Sequence, residues 1–240
     1  MVGRDEMQAN LRQIAGRIEA AAKRSGRTAA DVTLVAVSKF QPLDSLYTAL
    51  DCGVRIFGEN RVQEREEKSA KWTRERVRWH MIGHLQRNKA RKALELFDCI
   101  ESVDGFELAA TLNRVLAEGS RAEARPARFP VFVEVNTSGE ASKHGVSPGE
   151  CEALTERIEA ECPHLSLEGL MTIGPLTEDE KAVRTSFRML RDLGARTSAR
   201  TGLPMSELSM GMTGDYELAI EEGSTLVRIG TGIFGARGFA

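Results

Sequence analysis

Lys39 stands in the run LVAVSKFQP (34–42), in which apolar and small residues lead to an amine before Pro42 closes the segment. On a two-residue period it shares a face with Val35 and Val37. A lysine withdrawn from water has a lowered pKa, and its amine forms Schiff bases with carbonyl compounds. The bland alternative is a solvated lysine at a strand end. Arg228 stands inside TLVRIG, on the face of Leu226 and Gly230, while Val227 and Ile229 take the other. An unpaired guanidinium inside a buried strand is costly. Its partner is either a structural carboxylate such as Glu134 or an acceptor atom on a ligand. Two glycine turns complete the set. In SMGMTGD (209–215), Gly211 and Gly214 let backbone N–H groups turn inward, and Thr213 can cap the next helix. In RIGTGIFGAR (228–237), Gly230 and Gly232 flank Thr231, with a short helical turn starting near Phe234. Either turn alone is ordinary turn chemistry; together they can cradle a phosphate.

These residues need elements to position them. Short β-branched or apolar runs fall near 32–38, 54–57, 78–82, 99–103, 131–136, 167–171, 207–210 and 226–229. Helical patterns lie between them, near 43–52, 60–75, 85–97, 105–118, 148–161, 179–200 and 215–222, after a first helix at about 5–24. Strands alternating with helices predict a parallel α/β sheet. Eight such strands over 240 residues predict a single (β/α)8 TIM barrel, one domain spanning 1–240, with an extra N-terminal helix. An open doubly wound sheet is the alternative. In a barrel, functional side chains collect at the C-terminal strand ends, and phosphate sites favour the loops after strands seven and eight plus a short extra helix. The two glycine turns occupy those loops. Lys39 then stands at the mouth end of strand one, expected opposite them.

Composition narrows the partners. The net charge of −2 calls for neither nucleic acid nor an anionic membrane. No apolar run is long enough to span a bilayer, and the charged N-terminus has no signal-peptide core. Cys52, Cys99, Cys151 and Cys162 form no CxxC pair, which suits a reducing cytoplasm and buried thiols. HLQRNKARK (84–92) is basic but lacks interleaved aromatics, so it reads as a solvated helix face. His80 and His84 are four apart, but Gly83 and a strand-to-helix break separate them, so no metal is expected. Lys143, in the long loop after strand five, reads as either a solvated lysine or a second acceptor on a lid.

A lysine for a Schiff base, a phosphate cradle and an arginine are the parts needed to hold pyridoxal 5′-phosphate (PLP). The motifs VAVSKFQP, FGENRVQE, WHMIGHLQRNK, SVDGFELA, VNTSGEASKHGV, GLMTIGP and LSMGMTGDYELAIEEGSTLVRIGTGIFGAR closely resemble the PLP homeostasis protein family, of the alanine-racemase N-terminal-domain type. The resemblance runs from about Val32 to Arg237. It implies PLP held covalently on Lys39 and phosphate contacts at Ser209, Gly211, Met212, Thr213, Gly230 and Thr231. It also implies Arg228 at the pyridine nitrogen and Asn60 facing the cofactor from the mouth. Thr213 stands where serine is common in the family, and either hydroxyl donates to phosphate.

Alanine racemases resembling this barrel carry a second, β-rich domain and use a partner subunit's tyrosine as a base on the opposite face. This chain ends at Ala240, just after strand eight, and its only tyrosines are Tyr47 and Tyr216. Racemisation by two bases needs an acid/base on each face of the substrate. The expectation is a cytoplasmic monomer that binds PLP, buffers or supplies it to apo PLP-dependent enzymes, and catalyses little or nothing. A PLP-dependent amino-acid racemase of narrow scope and a PLP-free phosphosugar barrel stay open.

Overall fold

The computed structural model describes residues 2–72, 77–119 and 128–235. Most of the loose connection expected over 118–130, and Arg237 at the end of the last glycine motif, lie outside the described residues. Helix α1 (Arg4–Arg24) precedes eight strand–helix units. They are β1 (Thr33–Val37) and α2 (Leu43–Asp51); β2 (Ile56–Glu59) and α3 (Val62–Ser69); β3 (Arg78–Met81) and α4 (Ala90–Leu96); and β4 (Cys99–Val103) and α5 (Phe106–Ala117). Then follow β5 (Phe129–Glu134) and α6 (Cys151–Glu161); β6 (Leu165–Met171) and α7 (Glu180–Thr201); β7 (Glu207–Met212) and α8 (Tyr216–Glu221); and β8 (Leu226–Ile229) and α9 (Thr231–Phe234). All strands are parallel and close in chain order into a barrel, so the open sheet is excluded. Among the described residues no helix is long and apolar enough to cross a membrane.

Strand alternation divides the core into two layers. Ala36, Phe57, Ile100, Val131, Val133, Val227 and Ile229 point outward, under the helices. Val35, Cys99, Phe132, Met171 and Leu226 form a smaller apolar plug inside. Further toward the C-terminal strand ends, buried inward positions are charged or polar: His80, Glu101, Glu134, Ser209 and Arg228. An apolar floor beneath a polar mouth is how this barrel separates packing from chemistry. Helix α1 buries Met7, Ile14, Ile18, Ala21 and Ala22 and packs on α2, α8 and α9. Three of the four cysteines are buried and none is in a disulfide.

Some boundaries move, for physical reasons. β2 extends through Glu59, because Gly58 is a barrel-interior residue and not a turn: a Cβ there would sit 2.9 Å from both Val35 and Ile82 side chains. In β6 the register slips at Glu168, and a Cβ on Gly169 would lie 1.8 Å from the Glu207 carbonyl oxygen. Only glycine fits that approach of β6 to β7. The helix expected from residue 85 begins as a 3-10 turn (Arg87–Lys89) before α4. HLQRNKARK buries Leu85 and Ala90 and turns its charges outward, where Lys92 pairs with Glu66 and Glu95.

Candidate functional site at the barrel mouth

β1 delivers Lys39 into a tight turn. Gln41 N donates to Ser38 O at 3.0 Å, and Phe40 takes φ +62°, a left-handed conformation that costs a non-glycine residue roughly 1–3 kcal/mol. Phe40 is 60% exposed, so packing of its ring does not explain the strain. Glu64 of α3 accepts from Phe40 N at 3.0 Å, and the rest of the support lies below the turn. Lys68 of α3 donates to Ser38 O at 2.7 Å and to Glu59 Oε1 at 2.5 Å, and Ser38 Oγ donates to the same carboxylate at 2.6 Å. Burial pushes the Glu59 carboxyl up, and Lys68 and Ser38 partly offset it. This polar knot pins the backbone on the N-terminal side of Lys39.

Arg228 is buried, and its partners differ from those expected. Its guanidinium donates to Ser209 Oγ at 2.5 Å and to Thr172 O at 2.8 Å. Ser209 Oγ in turn donates to Glu101 Oε2 at 2.5 Å, and Glu101 Oε1 lies 2.6 Å from His80 Nδ1. The structural partner is therefore Glu101, reached through Ser209, while Glu134 acts at longer range. Burial alone would raise the Glu101 carboxyl, but His80, Arg228 and Ser209 outweigh it and hold it below the ordinary carboxylate range. Glu101 is the residue that sequence reasoning missed. The signal was available: it breaks the apolar strand CIESV as Arg228 breaks TLVRIG. Ser209 was expected at a phosphate; its hydroxyl is already engaged on both sides, inside the barrel beneath the mouth.

Gly211, Met212, Thr213, Gly230 and Thr231 all lie at the mouth, in the turns that end β7 and β8. Gly211 has φ +95°, and a Cβ there would lie 2.6 Å from Ala219 Cβ. Asp215 accepts from Met212 N at 2.6 Å and closes the turn. Gly230 is packed on β1, where its Cβ would lie 3.3 Å from Val37 O. The glycine turn of β8 is therefore beside Lys39, not opposite it, and that of β7 lies one strand further on. Closure of the barrel pairs β8 with β1, setting Val35 level with Arg228. Asn60 leads from β2 into α3 with its Oδ1 buried and unpartnered. Gly83 presses against its backbone, leaving no room for a Cβ.

Glu134 also faces this interior, with one carboxylate oxygen buried and unpartnered. Burial first, then Asp104, raises its carboxyl to about 7, and Arg228 lowers it only in part. A carboxyl raised from 4.5 to about 7 holds a proton in the folded chain that the unfolded chain has already released. Stability of the PLP-free protein is therefore expected to fall between pH ~4.5 and ~7.5, by on the order of 3 kcal/mol from this group. Urea midpoints for wild type and Glu134→Gln measure it: the variant should lose most of that slope, and parallel profiles would refute it.

Other candidates are sorted by position. His80 is interior and on Glu101, whereas His84 is at the rim, 2.9 Å from Asp104, so the two do not form a pair. Lys143 is not a free loop lysine: its Nζ donates to Glu140 Oε1 and to Gly174 O, both at 2.7 Å. Tyr47 donates to Lys71 O and packs on Trp72, and Tyr216 is buried in the helical layer beneath Arg17. Neither tyrosine of this chain stands at the mouth.

The family model described as "Alanine racemase, N-terminal domain" matches residues 4–238. A pyridoxal phosphate homeostasis protein of Vibrio cholerae is 39% identical over 241 residues, covering 98% of each chain. The chain belongs to the pyridoxal phosphate homeostasis protein family. Another relative of that name, from Homo sapiens, is 39% identical and covers 96% of this chain and 86% of its own. The structure of PipY from Synechococcus elongatus PCC7942, solved with PLP bound, superposes with a TM-score of 0.77 at 36% identity, covering 92% of this chain and all of that one. An alanine racemase of Clostridium difficile 630 has a TM-score of 0.74 at 14% identity; this chain matches 57% of its length, and the likeness shows the fold alone.

Proposed function

We propose that this homeostasis-family member binds PLP at the barrel mouth, holds it covalently through Lys39, and buffers or supplies it inside the cell with little or no turnover of its own. The observation that carries the proposal is the register of β1 against β8. It sets the Lys39 turn beside the glycine turn of β8 and above the buried Arg228. The relatives' name and the PLP-bound PipY structure support the same reading. The residues fit the group. The mouth offers two cations on the neighbouring strands β1 and β8, glycine turns with no side chain in the way, and the unpartnered Asn60 and Glu134 oxygens for donors on a ligand.

PLP supplies an aldehyde for a lysine and an electron sink for carbanions. Arg228 would meet the ring nitrogen as a permanent cation and leave it unprotonated, which weakens that sink. Gly211, Met212, Thr213, Gly230 and Thr231 would hold the phosphate through backbone N–H groups and hydroxyls, while Ser209 orients Arg228 from below. Neither tyrosine supplies a base at the mouth, so the chain's own residues favour holding over racemisation. Lys143 is tied to the rim by Glu140 and Gly174, and a role as second acceptor would require that tie to break. The test has three arms. Purified protein should turn yellow with PLP, restore activity to an apo PLP-dependent enzyme, and give no sustained racemisation across a panel of L-amino acids. Robust turnover would replace the carrier reading by a narrow racemase, and a protein that stays colourless with added PLP would end both.

A further inference from the structure

His84, Asp104 and His144 meet at the rim, from the ends of β3 and β4 and from the loop after β5, and none of them is among the residues proposed above to hold PLP. His84 Nδ1 and Asp104 Oδ2 are 2.9 Å apart. The His144 ring is stacked on His84 with centroids 4.0 Å apart and planes 11° from parallel. One ligating atom from each of the three residues lies within 4.8 Å of the others. We propose that these side chains form a site for a divalent transition cation of the zinc class, and that the bound cation staples the loop over 137–150 to the barrel rim.

The donor set selects the cation. Two imidazoles and one carboxylate suit zinc, nickel, cobalt or iron(II), and not magnesium or calcium, which favour all-oxygen shells. Bonds of about 2.0–2.2 Å span ligand atoms roughly 2.9–3.5 Å apart, depending on whether they meet at a right or a tetrahedral angle. The His84–Asp104 pair already has that spacing, and the cation would sit off the line between the two atoms, with the proton of their hydrogen bond released to water. Parallel rings do not converge their lone pairs, so His144 must rotate about its side-chain bonds. It is exposed and on a loop, and the required closure is small. His84 lines two rim clefts of about 580 and 480 Å³, which leaves space for water on the open side of the cation. The three ligands belong to three different loops, so binding is a mechanical link. The linked loop is the one whose Lys143 already reaches Gly174 O.

Untagged protein is titrated with Zn²⁺ by calorimetry and with Co²⁺ by visible d–d absorption, both with and without PLP, so the result is independent of the PLP proposal. One equivalent should bind. His84→Ala and His144→Ala should each weaken binding by at least about 100-fold, beyond the 10–100-fold that loss of an outer-shell partner costs. His164→Ala, an exposed histidine outside the cluster, should bind as wild type. Zn²⁺ should also slow tryptic cleavage after Lys143 in wild type and not in His144→Ala. The site is refuted by absent binding or by binding that survives both substitutions. Binding without protection at Lys143 refutes the staple.

Discussion

Lys39→Ala is expected to abolish the visible absorption that PLP gives the wild-type protein, and to leave no PLP attached after borohydride reduction. Loss of the covalent link should weaken retention of PLP by at least about 100-fold, ~2.8 kcal/mol. Arg228 and the glycine turns remain, so weak reversible binding should survive. Lys39→Arg separates charge from chemistry: it keeps the cation, cannot form the linkage, and should be as colourless as alanine. The knot of Ser38, Glu59 and Lys68 lies in the backbone support below and is untouched by either change. Unfolding midpoints of the PLP-free variants should therefore stay within about 1 kcal/mol of wild type. A yellow Lys39→Ala protein, with reduced PLP recovered on another lysine, would falsify the assignment.

Lys39 was legible because a strand pattern runs straight into it, and Arg228 because a charge interrupts an apolar strand. The same period of two places Glu101 and Glu134 inward, yet their role depends on which strands face each other, and that is a property of the closed barrel. Closure also decides that β8 lies against β1. Any closed eight-stranded barrel sets strand eight against strand one, so the β8 glycine turn belongs beside Lys39 and not opposite it, with the β7 turn one strand further on. All eight strands were visible as apolar runs; the extension of β2 through Gly58 and Glu59 and the register slip in β6 were not, because they are set by what a glycine touches in a neighbouring strand. The left-handed Phe40 has no sequence signal, since nothing in its residue type asks for φ +62°. The rim cluster combines a histidine after β3, an aspartate after β4 and a histidine late in the β5 loop, a spacing that matches no linear motif.

Glu101→Ala is expected to be the most destabilising single change in the barrel interior. Arg228 is fully enclosed, and of the carboxylates around it Glu101 contributes most to keeping its charge, ahead of Glu134 and Asp215. Removing one partner from a buried charge network costs about 3–5 kcal/mol, because the other charge is left without compensation. Glu101→Gln should cost less, since an amide still bridges His80 and Ser209, although it no longer balances the guanidinium. Folding separates the two carboxyls by sign. Glu101 sits below its ordinary range, so its contribution is complete at neutral pH and is lost as pH falls through its folded value. Glu134 sits above its range and penalises the fold as pH rises toward 7 and beyond. Together these two groups push the pH of maximal stability of the PLP-free protein toward mildly acidic values. In Glu101→Ala, urea unfolding should show a shallower acid limb, since Glu221 and Glu222 are also held low and still contribute to it, and should keep the alkaline limb. A cost below about 1 kcal/mol, or an unchanged acid limb, would mean that Arg228 is balanced by Glu134 and Asp215 alone. Arg228→Met should then be rescued by Glu134→Gln and not by Glu101→Gln, the reverse of the coupling expected from the Ser209 bridge.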